Sequence, residues 1–312
     1  MSQDHAQRGV IAHRRDCLDR AQRHHTGREF PVFEHGTPSI GTAPTDLAVL
    51  AGLSCLAFAY LRGVLRVTPL GHAWPRWRTT SFLIGLALIA AVTVGPGGAW
   101  AMSAFSGHMV QHLVLMMLAA PLLILGAPVL LVLLSTTREF RRRRVVPILR
   151  SRAFGVLTSP LLTWFAFATV LVGVHFTPFM SVTARMGALG ALVEVALYLA
   201  VALAYYYPLL PGNPARNRPR PVMRIVSLLL MMVPETMTGF FIYTVSFPLT
   251  EAGHHSGLSP QQSLLDQRLG GALMWSASMI IDVAWMALAV SDWLATDARR
   301  TRRLDERLAR ET

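Results

Sequence analysis

Thr79 to Thr137 reads TTSFLIGLALIAAVTVGPGGAWAMSAFSGHMVQHLVLMMLAAPLLILGAPVLLVLLSTT, 59 residues with no Arg, Lys, Asp or Glu. Crossing a bilayer core takes about 20 mostly apolar residues in a helix. The stretch is therefore too long for one crossing and too apolar for a water-facing surface. Gly95-Pro96-Gly97-Gly98 interrupts it, and glycine and proline punctuate helices, so a hairpin of two spans is expected. The second arm, from about Ser103 to Leu134, would be ~48 Å long at ~1.5 Å per residue. It holds Pro121 and Pro128, which predicts a kinked or tilted helix.

Outward from this hairpin, further apolar segments run over Leu47–Leu61, Leu157–Phe176, Gly187–Tyr207, Ile225–Phe247 and Leu269–Ser291. With 53% hydrophobic and 15% charged residues, the chain is expected to be an all-α integral membrane protein, a bundle of about seven transmembrane helices. Residues 1–45 form a polar, His-rich tail expected to be disordered, 46–294 the transmembrane domain, and 295–312 a basic tail.

All 29 basic residues are arginine, and the formal net charge is +12. Arg62–Arg78 holds four, Arg138–Arg152 seven, Arg216–Arg224 four and the tail from Arg299 six, making 21, against Arg185 and Arg268 alone in the intervening loops. By the positive-inside rule the arginine-rich segments are cytoplasmic. That puts the C-terminus in the cytoplasm and the N-terminus outside a cell membrane crossed several times. The six arginines of residues 1–45 fit this placement poorly, and no secretory apolar segment precedes them. Arginines in short runs between apolar segments indicate loops facing lipid headgroups, not a nucleic-acid surface. Cys17 and Cys55 are the only cysteines, which excludes a disulfide framework and a Cys-x-x-Cys metal site. A retinal Schiff base would need a lysine.

The histidines segregate. Five lie in the N-terminal tail and His72 lies on a cytoplasmic loop, while His108, His112, His175, His254 and His255 all fall toward the outer face. His108 and His112 are spaced i, i+4 and so share a helical face. Met102, Met109, Met116 and Met180 lie near them in sequence or depth. Imidazole with thioether suits a soft ion such as Cu(I). The same pattern is also that of interfacial histidines capping helices and of methionine as packing material. Glu194, Glu235 and Asp282 fall inside spans, where a carboxylate costs ~2.5–3.5 kcal/mol or more and faces the bundle interior. They are functional candidates, or acids bonded to a neighbouring helix through Tyr205, Tyr243 or a threonine. Gly270-Gly271 is expected to let two helices approach closely.

His108-Met109-Val110-Gln111-His112-Leu113-Val114-Leu115, running into Ala120-Pro121-Leu122-Leu123 and Gly126-Ala127-Pro128, resembles the signature helix of the multi-span CtaG-type cytochrome c oxidase assembly factors. His175 with Pro178 resembles that family's His-x-x-Pro. Asp266-Gln267-Arg268-Leu269-Gly270-Gly271, followed by Met274-Trp275, resembles its Asp-Gln-x-x-Gly-Gly approach to the last span. The similarity runs from about residue 46 to 292. One departure stands out: the family has a Glu-His pair in the fifth span, whereas Glu194 is followed here by Val195.

The resemblance implies a nonenzymatic factor for maturation of a respiratory haem-copper oxidase, with oxidase subunits as partners and copper handled at the outer face. Its expected ligands are His108, His112, His175 and Met109 or Met102, with Glu194 fixing an imidazole tautomer. The alternative is a copper transporter with Glu194, Glu235 and Asp282 along its path. A haem or di-iron oxidoreductase is disfavoured, because two histidines on one helical face cannot clamp both sides of one haem. No sequence feature assigns an oligomeric state.

Overall fold

A computed structural model describes residues 44–70, 73–215, 218–249 and 259–311. The expectations for residues 1–43, with their five histidines, and for His72, His254 and His255 lie outside the described residues. Among the described residues every regular element is helical. The long helices are α1 (Pro44–Val67), α2 (Arg76–Thr93), α3 (Gly95–Ser103), α4 (Phe105–Ser135), α5 (Pro160–Phe176), α6 (Phe179–Arg185), α7 (Ala188–Leu209), α8 (Pro221–Thr244) and α9 (Pro260–Glu311), with short helical turns over 138–157 between α4 and α5.

Five of these helices are long and apolar enough to cross a membrane, and the number rises to seven if the bent pairs α2–α3 and α5–α6 each make one span. The bends, of 53° and 71°, have local causes. At the first, Val94 is extended and Gly95 takes φ +62°, a conformation glycine adopts without steric cost. Pro96 then opens α3 in the first turn, where its missing N–H costs nothing. The expected hairpin turn is therefore the start of a short helix, and the next span begins at Phe105. At the second bend Thr177 is extended before Pro178, as the residue preceding a proline prefers.

α4 is the buried axis of the bundle. Eight of the nine residues from Phe105 to Leu113 are buried, whereas α1 buries only Tyr60, Gly63 and Val67. The irregularity expected at its prolines is present and cross-braced. Val114–Ala119 winds as a π-helix. Pro121 has no N–H for the Met117 carbonyl, and Trp285 Nε1 of α9 donates to that carbonyl instead, at 2.7 Å. Pro128 likewise denies the Ile124 carbonyl its i+4 donor, and that carbonyl accepts from the Ala127 N–H and from Asn213 Nδ2, in the turn after α7, each at 2.8 Å. Between them the chain breaks at Ala127, φ +51°, and Tyr60 of α1 donates to the Gly126 carbonyl at 2.7 Å. Each proline thus leaves a carbonyl that a side chain from a distant segment, Trp285 or Asn213, bonds instead.

α8 and α9 are held close through glycine. A Cβ at Gly271 would come within 2.7 Å of the Tyr243 nitrogen and 2.8 Å of the Gly239 carbonyl oxygen, so only hydrogen fits. α9 has 52 residues, ~78 Å at ~1.5 Å per residue, far more than a bilayer core. Its apolar part ends at Arg299, and the basic segment 295–312 continues the same helix to Glu311.

Candidate functional site

Helical spacing stacks His108 and His112 on one face of α4, and that face meets α5 and α7. His108, His112 and His175 are 1%, 2% and 5% exposed. The His112 and His175 rings lie edge to face with centroids 5.2 Å apart, and His108 lies 6.4 Å from His175. The expected approach of the three imidazoles is thus present.

Hydrogen bonds sort the three rings by what their nitrogens are free to do. His175 Nδ1 donates to the Leu171 carbonyl one turn back, at 2.6 Å. A carbonyl accepts only, so the proton sits on Nδ1 and the neutral ring keeps its lone pair on Nε2. That Nε2 is buried without a partner, and so is His112 Nε2. His108 is engaged on both sides: Glu194 Oε2 lies 3.9 Å from Nδ1 and the Tyr198 hydroxyl 3.4 Å from Nε2. Glu194 is itself held by the Thr183 hydroxyl. Tyr198 is fully buried and also packs on His112, with ring centroids 4.7 Å apart. Neither Tyr198 nor Thr183 stood out in the sequence, although Tyr198 is one turn beyond Glu194 and therefore on its face of α7.

A cleft of about 110 Å³ opens onto this cluster, with Asp46, Met102, His108, Gln111, Glu194 and Val195 among its walls. Val195, at the position where the resemblance expects a histidine, faces the cleft. Met109 does not join the imidazoles. It is wholly buried and packs with Phe105 against Gly270 of α9, since one residue along a helix turns the side chain by about 100°.

Asp266 has a structural task. Its carboxylate accepts from the backbone N–H of Phe105 at 2.6 Å and of Ser106 at 3.3 Å, and from the Ser106 hydroxyl. It caps the N-terminus of α4 from a different helix. Gln267 accepts from the Leu249 N–H at 2.7 Å and donates toward the Ile242 and Phe247 carbonyls. The Asp-Gln-x-x-Gly-Gly segment is thus a knot fastening α9 to α4 and α8.

Deeper in the bundle, Glu235 of α8 and Asp282 of α9 are 1% and 2% exposed. Their carboxyls are within hydrogen-bonding reach of each other, and no other donor reaches either oxygen of Glu235 or Oδ2 of Asp282. The sequence-level partners do not serve them: Tyr205 donates to the Ser227 carbonyl at 3.1 Å, and Tyr243 is 44% exposed.

Among the described residues no three His, Cys, Asp or Glu side chains are placed to hold a metal ion. What the cluster offers is a pair of unpartnered imidazole nitrogens beside an engaged third ring.

An uncharacterised protein of Mycobacterium bovis is 28% identical to the chain over 258 residues, which cover 80% of this chain and 39% of that protein. One of Mycobacterium leprae is 24% identical over 262 residues, covering 81% and 40%. The chain thus spans about 40% of the length of the curated relatives it matches. No solved structure matches it. The family profile described as cytochrome c oxidase caa3 assembly factor matches residues 58–296. That match takes in the histidine helix, the His175–Pro178 corner and the Asp266–Gly271 knot, and the chain belongs to the cytochrome c oxidase caa3 assembly factor family.

Proposed function

We propose that the chain assists assembly of a haem-copper oxidase as a nonenzymatic factor, by receiving copper from the outer side of a cell membrane and holding it transiently at His112 and His175. One observation carries this: two neutral-capable imidazoles with unpartnered Nε2 atoms, buried, with ring centroids 5.2 Å apart. A buried imidazole lone pair without a partner is costly unless something occupies it. Imidazole suits copper, and Cu(I) accepts as few as two donors in line, so the pair fits the ion as cargo. The Leu171 carbonyl fixes the tautomer that points the His175 lone pair at the site. His108 becomes a third donor when the Tyr198 hydroxyl turns away, and Glu194 beside its Nδ1 steadies the ring.

The histidine end of the bundle is assigned to the outside because the arginine-rich segments lie at the other end, 21 against two. A reporter active only in the cytoplasm stays silent when fused between residues 249 and 259; activity there would reverse the assignment. The functional test is His112→Ala and His175→Ala in cells that depend on a haem-copper oxidase. The expected result is loss of most oxidase activity at unchanged abundance of this protein, partly restored by excess copper in the medium. Full activity in both variants would return the histidines to a packing role.

A further inference from the structure

Below the imidazole pair, at the core of the bundle, lies a small cavity about the size of one water molecule, lined by His112, Met116, Met117, Glu235, Met274 and Ser278 among others. Its walls are unusual for a membrane core in three respects. Three thioethers and one imidazole converge on a single small space from α4 and α9. The adjacent residues Met116 and Met117, within the π-helical segment Val114–Ala119, both line the cavity. Glu235, paired only with Asp282, and His112, whose Nε2 has no partner, are 1% and 2% exposed and both line the cavity.

We propose that this cavity is a second, inner site for one soft monovalent cation such as Cu(I), bound by His112, Met116, Met117 and Met274. The donor set selects the ion. Thioether and imidazole favour soft cations, and a hard divalent ion would require more oxygen ligands than Glu235 and Ser278 supply. Charge supports the same choice, because a cation in a low-dielectric interior needs a buried counter-charge, and the carboxyl of Glu235, paired only with Asp282, stands at the cavity wall. His112 belongs to both the imidazole pair and the cavity, so its Nε2 serves one site at a time. The ion passes inward by ligand exchange on that ring, from His175 to the thioethers.

This inner site rests on the copper reading above, and the test separates the two. Purified full-length protein in detergent is loaded with Cu(I) under reducing conditions, and its metal coordination is read by X-ray absorption at the copper edge. The wild type is expected to show both nitrogen and sulfur scatterers. Met116→Leu/Met117→Leu/Met274→Leu, which conserves volume and so the fold, loses the sulfur signal and binds Cu(I) more than about 10-fold more weakly, the loss already typical of removing a partner one shell out. His175→Ala keeps the sulfur signal. A wild-type spectrum with nitrogen or oxygen scatterers alone, or unchanged affinity in the triple variant, overturns the inner site and leaves the imidazole pair standing. A wild type that binds no Cu(I) overturns both.

Discussion

Two polar clusters in this bundle share helices α4, α8 and α9, yet they are built on opposite rules. In the knot around Asp266 and Gln267, each carboxylate oxygen and each amide atom of the two side chains has a partner. In the column that descends from His175 through His112 to Glu235 and Asp282, two imidazole nitrogens have none and the two carboxyls have only each other. Gln267 is buried and Asp266 half-buried, whereas the imidazoles and carboxyls of the column are all buried, so desolvation weighs on both clusters and most on the second. The first recovers it through hydrogen bonds and fixes where α4 begins. The second recovers less of it through the chain's own bonds, which is what a ligand site requires. Satisfaction of buried polar groups, more than their burial or charge, separates scaffold from site in this molecule.

If the knot is scaffold, breaking it should unfold the protein without any reference to metal. The largest effect is expected at Gly271, where an added side chain meets backbone atoms of α8 that cannot rotate aside. Gly271→Val should destabilise by about 3 kcal/mol or more, seen as failure to recover folded, monodisperse protein. Asp266→Ala comes next. It strips two backbone N–H groups of α4 and the Ser106 hydroxyl of their acceptor, at a cost of about 2 kcal/mol. Asp266→Asn, which keeps an acceptor oxygen, should lose less. Unfolding titrations with and without Cu(I) check both. An Asp266→Ala protein of normal stability that fails only in copper handling would move Asp266 from the scaffold to the site.

The sequence exposed some of this readily. The spans follow from apolar runs, because length and lack of charge are what a bilayer demands, and the i, i+4 spacing of His108 and His112 gave their shared face. The approach of His175 followed from depth along an adjacent span. Other features depend on three-dimensional partners that spacing does not encode. Asp266 stood out in the sequence only as part of the Asp-Gln-x-x-Gly-Gly motif, because nothing local shows that its carboxylate meets backbone 161 residues away. Met109 read as a ligand because it sits between two histidines, although adjacency in a helix turns it toward α9. Met116 and Met117, which line one cavity, lie in a π-helical turn that breaks the very periodicity by which faces are counted. Gly95–Gly98 read as a turn because glycine and proline end helices; they also begin them.

The smallest expected effect is the most telling. In this column the carboxyls of Glu235 and Asp282 have only each other as hydrogen-bond partners. Removing one leaves the second buried and unaccompanied, so Glu235→Leu alone should cost roughly 1–3 kcal/mol, the penalty of an unsatisfied buried polar group. Replacing both by leucine removes the penalty together with its cause, because apolar side chains of similar size in place of a buried polar pair are often neutral or stabilising. The Glu235→Leu/Asp282→Leu protein is therefore expected within about 1 kcal/mol of wild type, and the cycle of two singles and the double should be far from additive. Its Cu(I) affinity should nevertheless fall, since the counter-charge for the inner cavity is gone. A double variant that loses as much stability as Asp266→Ala would show that the carboxyl pair holds the bundle together, and the line between satisfied scaffold and unsatisfied site would have to be redrawn above His112.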